Sequence, residues 1–229
     1  MAPAGDREKR ALAVLSSVPL AMHLLVHVWE QWSLFGGRHA YLARLASTST
    51  GLATFFELAL FVVPMGAWVV LLARALMRRD PIPGQARPGD PAIARALGAV
   101  IRVISPLTAL GLVTHVVMLW GGRVLGDEAP LWSYDLLRTT VGQPLWLGFY
   151  GLFVFSTTWH LAASLPDGLE ALGVVGSEGR RSAFVVTAVM GACLFILFAQ
   201  LAGWLATGLG TFWPIHIVDP SSEGIIVSP

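Results

Sequence analysis

Apolar residues fall into five long stretches that are separated by shorter polar segments. A helix needs about 20 apolar residues to cross the hydrocarbon core of a bilayer. Each stretch reaches that length with few charges, and the last two contain no Asp, Glu, Lys or Arg. We therefore predict an all-α integral membrane protein, a bundle of five transmembrane helices, at approximately residues 11–33, 52–77, 97–121, 141–165 and 183–209.

The composition agrees with this pattern. Of the 229 residues, 55% are hydrophobic and 13% are charged, whereas roughly 25% are charged in a typical soluble domain. A net charge of +1 excludes the basic footprint of a nucleic-acid-binding protein. The lone Cys193 excludes an intrachain disulfide and an iron–sulfur cluster held by this chain's own cysteines. No internal repeat is evident, so residues 1–229 are predicted to form a single membrane domain.

Basic residues are divided unevenly between the two sides of the predicted bundle. Four of the 15 Lys and Arg residues, Arg38, Arg44, Arg123 and Arg138, lie on one side, which leaves 11 on the side of the N-terminus. The positive-inside rule then places the N-terminus in the cytoplasm. Because the number of spans is odd, the C-terminus is predicted to lie outside. We expect a multi-pass protein of the inner (cytoplasmic) membrane.

Histidines occupy three of the predicted spans, and ionisable residues at membrane depth are functional candidates by default. At about 1.5 Å per residue, His27 lies roughly 24 Å and His115 roughly 27 Å from the cytoplasmic side, whereas His160 lies only about 8 Å deep. Two neutral imidazoles at one depth on separate helices suit axial ligation of a haem iron. Zinc would need more ligands close by. Only His23 could join the pair, and it lies one turn closer to the cytoplasmic side than His27. The alternative is that each imidazole hydrogen-bonds a neighbouring helix.

Short segments around these histidines occur in a definite order along the chain. His27–Trp29 ends the first predicted span and Glu57–Pro64 lies in the second, while Arg102–Ser105 precedes His115 in the third and Trp159–Leu161 lies in the fourth. This ordered set resembles the cytochrome b subunit of succinate dehydrogenase and fumarate reductase, in its single-subunit, five-helix, di-haem form. The resemblance covers nearly the whole chain.

The resemblance implies two haems b with four histidine ligands. The outer haem takes its ligands from the first and third spans, here His27 and His115. The inner haem takes them from the second and fourth, and His160 fits the fourth. The family's position four residues after Pro64 is Trp68, whose indole nitrogen is only a donor. We therefore expect one haem with both ligands and a second that lacks its partner.

The resemblance also implies the function. The chain would anchor a flavoprotein and an iron–sulfur subunit on the cytoplasmic face and pass their electrons to a membrane quinone, without catalysing the succinate reaction by itself. The basic inner loops around Arg78–Arg95 and Arg180–Arg181 could dock these partners, or simply set topology and contact lipid. Two alternatives stay open: another haem-b, quinone-linked membrane cytochrome, and a haem-free membrane scaffold or transporter.

Three further residues are candidates for quinone or haem contacts. Arg102 could pair with a haem propionate or hold a quinone, and Ser105, one turn further in, could assist it. The alternatives are snorkelling of Arg102 to the interface and a bond from Ser105 to its own helix. Glu57 lies at the level of the outer histidines and could take a quinone or proton role, or form a structural hydrogen bond.

Overall fold

The computed structural model describes residues 4–36, 40–41, 43–44, 55–56, 58–124 and 134–207, and all regular structure within these ranges is helical. The α-helices, in chain order, are α1 (Ala4–Gln31), α2 (Val63–Arg78), α3 (Ala92–Ala99), α4 (Ile101–Val124), α5 (Tyr134–Val141), α6 (Pro144–Ala171) and α7 (Arg180–Thr207). A 3-10 helix, Trp32–Gly36, continues α1, and a π-helical turn, Leu58–Val62, leads into α2.

Several of these helices are long and apolar enough to cross a membrane. The described part of the chain contains 4 such segments, Asp6–Leu34, Ala59–Arg78, Ile101–Met118 and Arg180–Leu205. They coincide with the first, second, third and fifth predicted spans. The 28 residues of α6 would extend roughly 42 Å, which is also long enough. The fourth predicted span, which α6 covers, and the orientation of the termini stay predictions.

Helix α6 differs from the others because it lies in the middle of the bundle. It packs most extensively against α7, then against α1 and α4. Its C-terminal half is buried and includes the polar side chains of Ser156, Thr157, Thr158, His160, Ser164 and Asp167. We call this end of the bundle inner and the opposite end outer, after the orientation predicted from the basic residues. A helix surrounded by protein needs no continuous apolar surface, so its polar side chains can face neighbouring helices rather than lipid.

The connection between α2 and α3 folds back under the inner end of α6. Helix α2 ends at Arg79, which has a left-handed φ of 59°. Gly84, with φ of 85°, then approaches Ala163 so closely that a Cβ atom would lie 3.0 Å from the Ala163 side chain. The Gly84 N–H donates to the Asp167 carboxylate over 2.7 Å. This segment is therefore part of the folded bundle.

Arginines of this inner region are paired with carboxylates of the same chain. Arg180 is buried and donates to Asp167 over 2.8 and 3.0 Å and also to Asp90. Arg87 bonds Asp167 at 3.0 Å and Glu170 at 2.8 Å. Two of the arginines that the sequence offered for partner docking are thus already engaged in holding the inner loop to α6 and α7.

Candidate functional site

A cavity of about 130 Å³ lies in the outer half of the bundle, between α1, α4, α6 and α7. Its walls are mostly apolar, with Leu20, Leu24, Leu112, Val154, Phe198, Leu201 and Leu205 among them. The polar side chains that line it are those of His23, His27, Gln31, Tyr41, His115, Tyr150, Thr157 and Thr158. The cavity extends along α1 from Leu20 to Gln31, roughly 16 Å along the helix axis.

Three imidazoles are gathered in this cavity. The ring centres of His27 and His115 are 6.3 Å apart, with an angle of 83° between the ring planes. His23 lies one turn below His27, and these two rings are stacked with centres 5.3 Å apart. His23 also stacks on Phe61 at 3.6 Å. The structure thus brings together the outer pair that depth selected, and adds His23 beside it.

The spacing of the outer pair fits two ligands of one metal ion. With metal–nitrogen bonds of about 2.0–2.1 Å, imidazoles on opposite sides of a metal have ring centres roughly 6–6.5 Å apart. The observed distance between His27 and His115 is 6.3 Å, and the angle between the planes is unrestricted because each ring can rotate about its metal–nitrogen bond. The same distance also suits a direct edge-to-face contact between the two rings without a metal. An optical spectrum distinguishes a ring contact from metal ligation.

The size of the cavity sets a further condition on any cofactor. A volume of about 130 Å³ is below the roughly 300–1,000 Å³ of typical ligand pockets. A haem between the two imidazoles therefore requires lining side chains to move outward. The two histidines fit the axial positions of a haem b, and the surrounding walls have to widen to accept the ring.

The environment of His115 is shaped by the close approach of α4 and α6. Gly111 lies one turn below His115, and a Cβ atom there would lie 2.3 Å from a ring carbon of Phe153. Because Gly111 has no side chain, the Phe153 ring can sit against His115, with ring centres 5.5 Å apart. The Tyr150 hydroxyl, one turn further out on α6, lies 3.5 Å from His115 Nδ1.

His160 has a different environment in the inner half of the bundle. Its Nδ1 lies 3.0 Å from the Ser105 hydroxyl on α4, and its Nε2 lies 3.0 Å from the Ser16 carbonyl on α1. A carbonyl can only accept, so Nε2 carries the proton and Nδ1 accepts from Ser105. Trp68 of α2 is fully buried, and its ring centre lies 5.0 Å from that of His160. Both nitrogens are engaged and the indole packs against the ring.

These inner residues do not fit a second haem. A ligand to iron needs a nitrogen lone pair that is free, and both nitrogens of His160 are hydrogen-bonded within the protein. Trp68 fills the side where a partner ligand would stand, with 0% of its surface exposed. The arrangement matches the alternative of a histidine that joins neighbouring helices.

Arg102 and Ser105, two further predicted site residues, lie away from the cavity. Arg102, near the start of α4, is exposed and donates to the carbonyl of Asp80 over 3.1 Å. Its side chain therefore contacts the connection after α2 and not the outer histidines. Ser105 bonds His160. Glu57 lies outside the described residues.

Tyr150 and Thr157 are among the polar cavity residues that were not identified from the sequence. Tyr150 and Thr157 lie two turns apart on α6, at the spacing i, i+7, and His160 follows three residues after Thr157. This polar spacing places them on one face of the helix and is the signal that could have identified them. The Thr157 hydroxyl is buried and, within the described part of the chain, has no hydrogen-bond partner.

No protein-family model, no curated protein and no solved structure matches the chain. A function is therefore inferred from the geometry of the cavity and from the sequence.

Proposed function

We propose that this chain is the haem b-carrying membrane anchor of a succinate:quinone oxidoreductase. The observation that carries the proposal is the 6.3 Å separation of the His27 and His115 ring centres inside a mostly apolar cavity. The order of the histidines along the chain, with the resemblance described above, supports the choice of this complex over other haem-b proteins.

In the proposed site the protein's own residues bind and orient the cofactor. His27 of α1 and His115 of α4 would supply the imidazoles that hold the haem iron. The apolar side chains of α6 and α7, with Phe198 6.0 Å from the His27 ring, exclude water from it. A haem b with two axial imidazoles supplies one-electron transfer and has no open position for oxygen. The proposed chain therefore relays electrons between an iron–sulfur subunit and a membrane quinone.

The first test is the optical spectrum of the purified protein. We expect a b-type reduced-minus-oxidised difference spectrum and about one haem per chain. His27→Leu and His115→Leu should each abolish it, because each removes one axial ligand. His160→Leu is the matched control, since it removes a buried imidazole from the same bundle and should retain the spectrum. A colourless wild-type protein would refute the proposal.

The second test addresses the complex. Membranes that contain this chain with its flavoprotein and iron–sulfur partners should show reduction of the b-type absorbance on addition of succinate. The same membranes without those partners should not. A protein with the haem spectrum that succinate fails to reduce in any such membrane would instead be another quinone-linked cytochrome.

A further inference from the structure

We propose that the inner end of the bundle binds the headgroup of an anionic phospholipid at the edge formed by α1 and α2. The proposal goes beyond the proposed function, because it concerns neither the haem nor the outer cavity. It starts from the charged residues around the inner end, whose distribution differs between the two sides of the bundle.

On the side formed by α3, α6 and α7, the charges balance. Residues 87–95 and 167–181 contain four cations and four anions, namely Arg87, Arg95, Arg180 and Arg181 with Asp90, Asp167, Glu170 and Glu178. Arg180 is buried and pairs with Asp90 and Asp167, while Arg87 pairs with Asp167 and Glu170. Helix α3 packs against both α6 and α7, so these groups neutralise one another locally. This side offers no net charge to an anionic ligand.

On the side formed by α1 and α2, cations are in excess. Seven cations and three anions lie at the inner ends of these helices and at the start of α4, and we call them the cationic edge: Arg7, Lys9, Arg10, Arg74, Arg78, Arg79 and Arg102 with Asp6, Glu8 and Asp80. Arg78 lies 3.1 Å from Glu8 across α2 and α1, and Arg102 donates to the Asp80 carbonyl over 3.1 Å. The positive-inside rule concerns the side of the membrane and does not explain a concentration of cations at one edge of the bundle.

The position of Arg74 favours a lipid over a soluble protein as the ligand. Arg74 is exposed within the apolar segment Ala59–Arg78, roughly 6 Å before the end of α2. Val70 and Met77, one turn away on the same face, are 52% and 76% exposed. The alkyl stem of an arginine lies along such an apolar face while its guanidinium reaches the headgroup level. A phospholipid matches both features, since its acyl chains cover Val70 and its phosphate meets Arg74.

Arg79 supplies a second cation at this level. It ends α2 with a left-handed φ of 59° and is exposed. Among the residues that the structure describes, none forms a hydrogen bond or an ion pair with the side chain of Arg74 or Arg79. A guanidinium donates paired hydrogen bonds to phosphate oxygens. A headgroup with a net negative charge is favoured over a zwitterionic one, because the ammonium of a zwitterionic lipid is repelled by the same cations.

The experiment measures the affinity of the purified full chain for phosphatidylglycerol and for phosphatidylcholine by native mass spectrometry. The attraction of one basic side chain to an anionic lipid surface corresponds to about a fivefold change in affinity. Arg74→Gln should therefore weaken phosphatidylglycerol binding about fivefold, and the double variant with Arg79→Gln roughly 25-fold. Arg181→Gln is the matched control, because it removes an equally exposed arginine from the balanced side, and it should weaken binding less than about twofold.

A preference for phosphatidylglycerol that falls in Arg74→Gln and is kept in Arg181→Gln would support the proposal. Equal affinities of the wild-type chain for the two lipids, or equal losses in the two single variants, would overturn it. Unchanged lipid binding in the double variant, together with loss of a soluble partner subunit from the complex, would assign the cationic edge to that protein instead. Each outcome can be read whether or not the chain carries haem, so it is separate from the test of the proposed function.

Discussion

Replacement of His160 by Leu tests whether this histidine hydrogen-bonds neighbouring helices or binds iron. Leu fills a similar space, so the substitution removes the hydrogen bonds of the imidazole without opening a large cavity. The lost contacts are the 3.0 Å bonds to Ser105 on α4 and to Ser16 on α1. Because these bonds join α6 to two other helices, their loss should lower the free energy of unfolding while the haem spectrum is retained.

The magnitude follows from the values for hydrogen bonds between membrane helices, about 0.6 kcal/mol on average and about 1.7 kcal/mol at most. Two such bonds predict a loss of about 1–3 kcal/mol for His160→Leu. Ser105 can turn to a carbonyl of its own helix, so its hydroxyl adds little to this cost. A double-mutant cycle with Ser105→Ala should give a coupling energy of about 0.6–1.7 kcal/mol, since these two side chains share one bond.

Reversible unfolding in mixed micelles with increasing SDS would measure these energies. Thr108→Val is the matched control, because the Thr108 hydroxyl is buried but bonds the Ile104 carbonyl of its own helix at 3.0 Å. It should change the free energy of unfolding much less than His160→Leu does. Loss of the b-type absorbance in His160→Leu, with an unchanged free energy of unfolding, would refute the reasoning and make His160 an iron ligand.

Three further predictions concern the inner ion pairs, the helix contact and the membrane. Asp167→Asn should cost about 3 kcal/mol because it removes a carboxylate from the buried Arg180, whereas Glu8→Gln, at the exposed pair in which Arg78 lies 3.1 Å from Glu8, should cost less than about 1 kcal/mol; equal losses on SDS unfolding would contradict this. Gly111→Ala should lower both the haem-to-protein ratio and the free energy of unfolding, the latter by about 1–3 kcal/mol through overpacking; a normal haem ratio would count against the close contact. Cys193 is exposed on α7, and a charged maleimide should label it only after SDS unfolding, since a thiolate does not form in lipid; labelling in intact membranes, read by mass spectrometry, would exclude α7 as a span.

The amino-acid sequence predicted the helices well because their signal is local. A stretch of about 20 apolar residues is sufficient to indicate a span, and four of the five predicted stretches coincide with helices that are long and apolar enough to cross a membrane. Helix α6 has the expected position, Pro144–Ala171. The polar side chains of its inner half are explained by the three helices that pack around it, α1, α4 and α7. The orientation across the membrane stays a prediction from the basic residues.

The side chains that surround each histidine could not be predicted from the sequence. Rise per residue was enough to match His27 with His115, because depth along a straight helix depends only on position in the chain. It could not distinguish the environment of His115 from that of His160, which depends on side chains brought from other helices. Ser16, Ser105 and the indole of Trp68 surround one imidazole, whereas a tyrosine and an apolar cavity adjoin the other.

The sequence by itself therefore determined an all-helical protein with several candidate membrane spans, and it matched His27 with His115, since both follow from local hydrophobicity and helix geometry. Only the tertiary structure decided which imidazole nitrogens are already hydrogen-bonded and which side chains line a cavity. Hydrogen bonds between helices depend on how the helices are rotated and packed, as at Gly111 and Phe153, and no spacing within a single helix specifies that rotation.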